Sequence, residues 1–283
     1  MIGEQVISVR ELISNVNAIS STPRIYSRLN DAINHPRTAI KDIARIISED
    51  PGLTARLLKL ANSSLYGFPK IDSISRALTL IGTRELRDLT LATTVIQSFA
   101  DIPEDQINVE SYWKHCLACG TYARNIAVYL REPSVEKFFV GGILHDIGQL
   151  VMCALIPKTV CTVYARGDQN AIFSIEQESL GFDHAHLGSE LLSAWEIPQN
   201  ITELVAFHNN PSQATKYPLE ATIVHLADLI CQATGYRSST ETSAPPLDET
   251  AYAKLNFPAS ALESIINQTE AQLADVFATL LEQ

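Results

Sequence analysis

The chain has 283 residues, 46% of them hydrophobic, enough for one large or two modest packed cores. Its 32 acidic residues outnumber 21 basic ones and give a net charge of −11, which argues against a general footprint for nucleic-acid backbones. The apolar runs are expected to fall short of the roughly 20 uncharged residues of a membrane span. The opening MIGEQVISVRELIS has no basic region followed by an apolar block, so no membrane association and a cytoplasmic location are expected.

Apolar residues recur at helical spacing from the start: Val6, Leu12, Ile13 and Val16, then Ile40, Ile43, Ile46 and Ile47, then Leu53, Leu57, Leu58 and Leu60. The third of these helices should begin at Asp50, an N-cap residue followed by Pro51, whose missing N–H costs nothing in the first turn. It should stop near NSSLYGFP, where Asn62, Gly67 and Pro69 are turn residues. A helix over Ile74–Leu80, a break at Gly82 and a helix through RELRDLTLATTVIQSF complete the first unit. The polar stretch ADIPEDQINVE, with Pro103, marks an expected boundary between an N-terminal helical bundle, 1–108, and a second helical domain, 109–283.

In the second unit the pattern predicts helices over about 110–130, 135–156, 158–166, 174–179, 183–194, 198–207, 219–234 and 259–281. The Ser-, Thr- and Pro-rich stretch 235–250 reads as a mobile surface loop. The fold class is therefore all-α, and no repeat or glycine-rich phosphate loop is present. Cys116, Cys119, Cys153, Cys161 and Cys231 all lie in apolar sequence and are expected to be small buried hydrophobes. The Cys-x-x-Cys spacing of Cys116 and Cys119 lacks a second pair and reads as helical coincidence.

The chemistry is concentrated in GGILHDIGQL, where His145 and Asp146 interrupt an otherwise apolar helix. Desolvating such a pair is expensive unless it is paired or bound to a metal. His115, His184, His208 and Asp228 lie on or beside other predicted helices, and a helical bundle can aim such groups at one interior point. Two His with two Asp suit a divalent ion such as iron, manganese, nickel or zinc, which would lower the pKa of bound water and polarise a phosphoryl oxygen. His35, His186 and His225 read as ordinary hydrogen-bonded core or surface residues.

The order His115, His145–Asp146, Asp228 resembles the HD superfamily of metal-dependent phosphohydrolases. EDPGLTARLLKLANSSLYGFPKIDSISRALTLIG, GGILHDIGQLVM, GFDHAHLGSELLSAWEIPQNI and AFHNNP together resemble the HDOD family, the HD-related output domain of bacterial signalling proteins, over roughly 20–230. The resemblance implies an all-α fold, a place in bacterial signal transduction and frequent absence of catalysis. It makes His115, His145, Asp146 and Asp228 the metal ligands, with His184 and His208 as candidate second-metal ligands and, if the protein is active, as catalytic candidates. Against the cyclic-dinucleotide phosphodiesterases of HD-GYP type, Asn209 and Asn210 replace members of a His-His-Glu run, and Gln149 stands where active relatives carry a Lys. Tyr217 and Pro218 match the offset of the GYP motif without its final Gly. The expectation is a regulatory output protein that retains a metal and lacks strong catalysis, with signalling proteins or a small nucleotide as partner. The alternative is a phosphohydrolase acting on a nucleotide or cyclic nucleotide. Oligomeric state is left open.

Overall fold

The structure, a computed structural model, describes residues 7–19, 24–100, 102–103, 106–165, 172–238 and 244–281. Among these no strand occurs. The helices are α1 (Val9–Ile19), α2 (Arg24–Asn34), α3 (Ile40–Ser48), α4 (Pro51–Ala61), α5 (Ile74–Leu80), α6 (Thr83–Ser98), α7 (Val109–Tyr129) and α8 (Glu136–Leu144). They continue as α9 (Ile147–Leu155), α10 (Pro157–Tyr164), α11 (Ile172–Leu180), α12 (His184–Ala194), α13 (Gln199–Phe207), α14 (Pro218–Ala233), α15 (Glu249–Leu255) and α16 (Leu262–Leu280). Val6 of the first apolar stripe and residues 239–243 of the expected loop lie outside the described residues.

The local signals act as their chemistry requires. Asp50 accepts the Leu53 amide at 2.9 Å and α4 starts at Pro51. Asn62 caps the end of α4, and its amide ties the following turn by bonds to Leu58 O and to both the N–H and C=O of Ile71, each at 2.7 Å. Gly82 adopts φ +112°, outside the range open to other residues, and breaks α5 from α6. Helix α2 was absent from the expected elements. Its sequence does carry a helical stripe, Ile25, Tyr26, Leu29, Ala32 and Ile33, with Tyr26 and Leu29 fully buried and the other three packed against the core.

Helix α7 is the centre of the molecule. Every residue from His115 to Ala127 is buried, as in a helix surrounded on all sides. It packs against α8, α14 and α16, while α12 packs on α9 and α13, and α6 joins α8 to α2 and α4. The apolar core is contiguous from Leu12 to Leu280. Wholly buried side chains such as Leu29, Leu86, Leu117 and Ile143 each contribute about 1.5–3 kcal/mol of hydrophobic stabilisation.

Four expectations are corrected. The single helix over 135–156 is two, α8 and α9, separated by a turn at His145–Asp146, because His145 is held to the end of α8 and α9 starts afresh from Asp146. That stretch, Glu136–Leu155, is apolar and long enough by composition to cross a membrane, but most of it is buried inside the protein. The loop 235–250 runs into α15, whose N-cap Asp248 accepts the Ala251 amide at 2.9 Å. Cys161 is exposed, unlike the other four cysteines, because the short helix α10 lies at the periphery.

Two glycines set the crossing on which the centre is built. A Cβ on Gly142 of α8 would lie 2.5 Å from Gly120 Cα of α7, and one on Gly120 would meet the Phe139 carbonyl at 2.6 Å. The helices touch backbone to backbone there. Overpacking at a backbone contact costs typically 1–3 kcal/mol and occasionally more, so Gly142→Ala is expected to lower stability by about 3 kcal/mol, read as a fall in the urea midpoint.

The turn before α14 is held by one carboxylate. Glu203 Oε1 accepts the amides of Thr215, Lys216 and Tyr217 at 2.9, 2.6 and 3.0 Å. Burial opposes the charge, but the three donors outweigh it and hold the Glu203 pKa below its ordinary value. A lowered carboxylate pKa stabilises the fold above the unfolded value and loses that effect as pH falls through it. The stability gap between wild type and Glu203→Gln should therefore be widest near neutrality and close below about pH 4. Denaturation midpoints from pH 7 to pH 3 check this, and a gap independent of pH would refute it.

Candidate metal centre

The six residues singled out in the sequence converge on one buried point. His115 comes from α7, His145 and Asp146 from the turn between α8 and α9, His184 from the start of α12, His208 from the end of α13 and Asp228 from α14. Their exposures run from 0% for His115 and His145 to 3% for Asp228, so none is solvated by bulk water. Unpaired ionisable groups at that depth would carry a large desolvation penalty.

Each imidazole is oriented through Nδ1. His145 and His208 cap the ends of α8 and α13, and each donates to the carbonyl three residues back, Gly142 O at 2.7 Å and Val205 O at 2.8 Å. Those carbonyls belong to last turns, which lack intrahelical donors. His115 donates to Tyr236 O at 2.9 Å, and His184 Nδ1 lies 2.6 Å from Glu176 Oε2. Such partners fix a metal-binding imidazole in tautomer and orientation, leaving Nε2 to face the centre.

The consequence is a set of acceptors facing one another. His115 Nε2 and His145 Nε2 are 3.3 Å apart. His115 Nε2 is 3.5 Å from Asp228 Oδ1, and Asp146 Oδ2 lies 3.3 Å from His145 Nε2 and 3.6 Å from His115 Nε2. Asp146 Oδ2 has no hydrogen-bond donor, as lone pairs on both neighbouring nitrogens require. Asp146 also occupies the N-cap position of α9, yet its side chain makes no capping bond and turns to the centre instead. Donors about 2.0–2.2 Å from one ion stand about 3.0–3.5 Å apart at tetrahedral to octahedral angles, so the residues fit a divalent cation. Two overlapping sets have suitable donor atoms, His115 with His145 and Asp228, and His145 with Asp146 and His208.

The electrostatics agree. Burial would raise the Asp146 pKa, but the charge on His145 and the surrounding imidazoles hold it well below the usual carboxylate range. Burial would lower His145, and the Asp146 carboxylate outweighs it and raises that pKa. A positive charge is favoured between these groups, supplied by a proton or displaced by a metal ion. His184 is also opposed by burial, yet the Glu176 and Asp146 carboxylates push it up to about 10. His208 has no such carboxylate behind it, and burial pulls it down.

Of three supporting residues, Glu176 and Gln232 were not read from the sequence, and Asn209 was read there only as the loss of a possible ligand. Glu176 is wholly buried on α11, and besides His184 Nδ1 it accepts the His184 amide at 2.8 Å and the Tyr164 hydroxyl at 2.7 Å. Gln232, one turn after Asp228, donates to both of its carboxylate oxygens at 3.1 and 3.2 Å, a spacing of four residues that could have marked it. Asn209 places Nδ2 3.1 Å from His184 Nε2 and 2.9 Å from His208 Nε2. No periodicity links Glu176 to His184 across eight residues. His225 is a core residue as expected, its Nδ1 donating to His208 O at 2.8 Å and its Nε2 accepting the Asp248 amide at 3.1 Å. His35 and His186 are exposed and stand apart from the centre. Gln149 is wholly buried, and the Tyr217 amide serves the Glu203 turn.

Gly148 fixes the distance between α9 and α12, because a Cβ there would overlap the His184 carbonyl. The motif HDIG therefore couples the turn that carries His145 and Asp146 to the first residue of α12.

Fold and site together define an all-helical protein built around a buried histidine–aspartate centre. A family model for the HDOD domain matches residues 19–211, and the chain belongs to that family. An uncharacterised protein of Treponema pallidum (strain Nichols) is 27% identical over 223 residues, which is 74% of this chain and 42% of the relative. The chain thus spans less than half the length of that relative. The structure of an HDOD domain protein of unknown function from Geobacter sulfurreducens superposes with TM-score 0.75 at 22% identity, covering 97% of this chain and 96% of the other. A Shewanella amazonensis SB2B protein, named provisionally as a phosphohydrolase, superposes with TM-score 0.73 at 23% identity over 95% and 97%. At these identities the likeness shows the shared fold.

Glu176→Gln keeps the shape and removes the charge behind His184. An opposite charge at this range shifts a pKa by about 1–3 units, so the His184 pKa in metal-free protein should fall by at least one unit in an NMR titration. An unchanged value would mean that Glu176 is not the cause.

Proposed function

We propose that this chain is a regulatory output module of signal transduction that holds a divalent ion between His115, His145, Asp146 and Asp228 and lacks strong catalysis. The observation that carries the metal reading is the opposed pair of His115 and His145 Nε2 atoms, 3.3 Å apart, beside an Asp146 oxygen that has no donor. The family match supports the signalling role. Iron, manganese, nickel or zinc would satisfy the donor set, and such an ion lowers the pKa of bound water and polarises a phosphoryl oxygen. Against turnover stand the burial of every donor and the uncharged, buried Gln149 three residues after Asp146, since phosphoryl transfer relies on preorganised positive charge. Helical surfaces would then carry the output to signalling proteins.

A second reading, hydrolysis of a nucleotide or cyclic nucleotide, is favoured by one observation, the convergence of the full His115, His145, Asp146 and Asp228 set. It also accords with the provisional name of the Shewanella protein.

The test is elemental analysis of untagged protein purified without chelator and at low oxygen, beside Asp146→Ala. The expected result is a single equivalent of transition metal in wild type, lost in the variant while circular dichroism stays helical. Folded wild type that neither contains nor takes up an ion would overturn the metal reading. On a panel of nucleotides and cyclic dinucleotides, metal-loaded wild type is expected to match Asp146→Ala; turnover lost in the variant would establish the second reading in place of the first.

A further inference from the structure

We propose that Asn209 occupies the second half of the centre with its side-chain amide and restricts the protein to one metal ion; this inference rests on the metal reading above. The two donor sets share His145, and what separates them is the neighbour of each remaining nitrogen. In the first set, His115 Nε2, His145 Nε2 and Asp228 Oδ1 face one another with Asp146 Oδ2 alongside, and the amide of Gln232 donates there to the Asp228 carboxylate at 3.1 and 3.2 Å. Beside the second set, His145 with Asp146 and His208, Asn209 Nδ2 stands 2.9 Å from His208 Nε2 and 3.1 Å from Nε2 of the neighbouring His184.

The direction of those contacts is fixed by the residues behind the rings. His208 spends its Nδ1 proton on Val205 O, so Nε2 is a lone pair and must accept from Asn209. That bond requires the nitrogen of the amide, not its oxygen, to face the rings, which puts the carbonyl end of Asn209 away from any ion placed there. His184 is engaged in either protonation state. A lone pair on Nε2 meets Asn209 Nδ2 at 3.1 Å, and a proton on Nε2 meets Asp146 Oδ1 at 3.4 Å. A cation held by His208 and His184 would have to displace a donor that lies within hydrogen-bond distance of both. The amide stands where a second ion would stand.

This changes the meaning of the substitution at position 209. An Asn that merely failed to ligate would leave the second pair of imidazoles open to an ion with fewer protein donors. An Asn whose NH2 group caps that pair closes the position, without any change at the first set. It also removes the arrangement in which two ions clamp both ends of a phosphoryl transfer.

The test is titration with Mn2+ alone, read by equilibrium dialysis and electron paramagnetic resonance, on wild type, Asn209→Asp and Asn209→Ala. Wild type should bind one equivalent with the signal of an isolated ion. Asn209→Asp, which keeps the shape and replaces the donor by a carboxylate, should bind two and show spin coupling. Asn209→Ala, which removes the cap without adding a ligand, should bind a second equivalent at least tenfold more weakly than the first. With Zn2+ in place of Mn2+, the first equivalent should move the 15N resonances of His115 and His145 and leave those of His184 and His208 in place. Two equivalents in wild type, or one in both folded variants, would overturn the inference. No binding in wild type but one ion in Asn209→Asp would overturn it too, and would place the only ion in the second half. Absence of binding in all three would remove the metal reading and this inference with it.

Discussion

The arrangement depends on keeping the carboxylate of Asp146 ionised with almost no water around it. A buried charge of that kind is tolerated only if fixed positive or polarised groups replace its hydration. Here the imidazoles of His115, His145, His184 and His208 surround it, with Nε2 atoms 3.3–3.6 Å from its two oxygens, and the positive charge they enclose, a proton on an imidazole or the proposed ion, takes the place of that hydration. None of the four rings is free to turn. Three are tied by Nδ1 to main-chain carbonyls, those of Gly142, Val205 and Tyr236, and the fourth to Glu176. The centre is thus rigid because secondary structure supplies its outer layer: two of the carbonyls are the ends of α8 and α13. The third is held from α16, where Glu270 accepts the Tyr236 hydroxyl at 3.0 Å and the Tyr122 hydroxyl at 2.9 Å.

Those tethers are useful only if the helices meet at the right distance, and glycine sets it. Gly120 against Gly142 brings α7 to α8, and with them His115 to His145. Gly148 against the His184 carbonyl, with Gly188 one turn on, brings α9 to α12 and Asp146 to His184. A methyl group at any of these contacts would push apart the residues that must converge. The apolar runs around them stabilise the molecule but could be repacked. The backbone contacts could not be relaxed without opening the centre.

This division explains what could be read from the sequence. Helices with a strong period or a clear cap, such as α4 behind Asp50 and α5 before Gly82, follow from local chemistry. So does the list of six centre residues, since ionisable side chains in apolar helices are conspicuous. Helix α2 was legible in the stripe Ile25, Tyr26, Leu29, Ala32 and Ile33 but was not among the expected elements, whereas the break between α8 and α9 was hidden because both halves are largely apolar and buried. Glu176 and the nitrogen of Asn209 act across space with no repeat spacing, and three of the four ring tethers are main-chain carbonyls. A carbonyl has no letter in a sequence. Asn209 could be read there as a missing ligand, but its role as a donor needed the direction of the neighbouring rings.

On the proposed reading, charge makes such a centre suit a regulator better than a hydrolase. One divalent ion against Asp146 and Asp228 is formally neutral, and the Glu176–His184 pair balances itself. A neutral assembly costs less to bury than one with net charge. A phosphate group brought to it would add negative charge, and position 149, three residues after Asp146, is Gln and supplies no cation. A second ion would supply two further positive charges for that purpose, and the amide of Asn209 lies where it would bind. Burial, neutrality and the proposed single occupancy therefore belong together: with one ion, the features that would make the centre stable in the core are the ones that would deprive it of the excess positive charge that phosphoryl transfer needs.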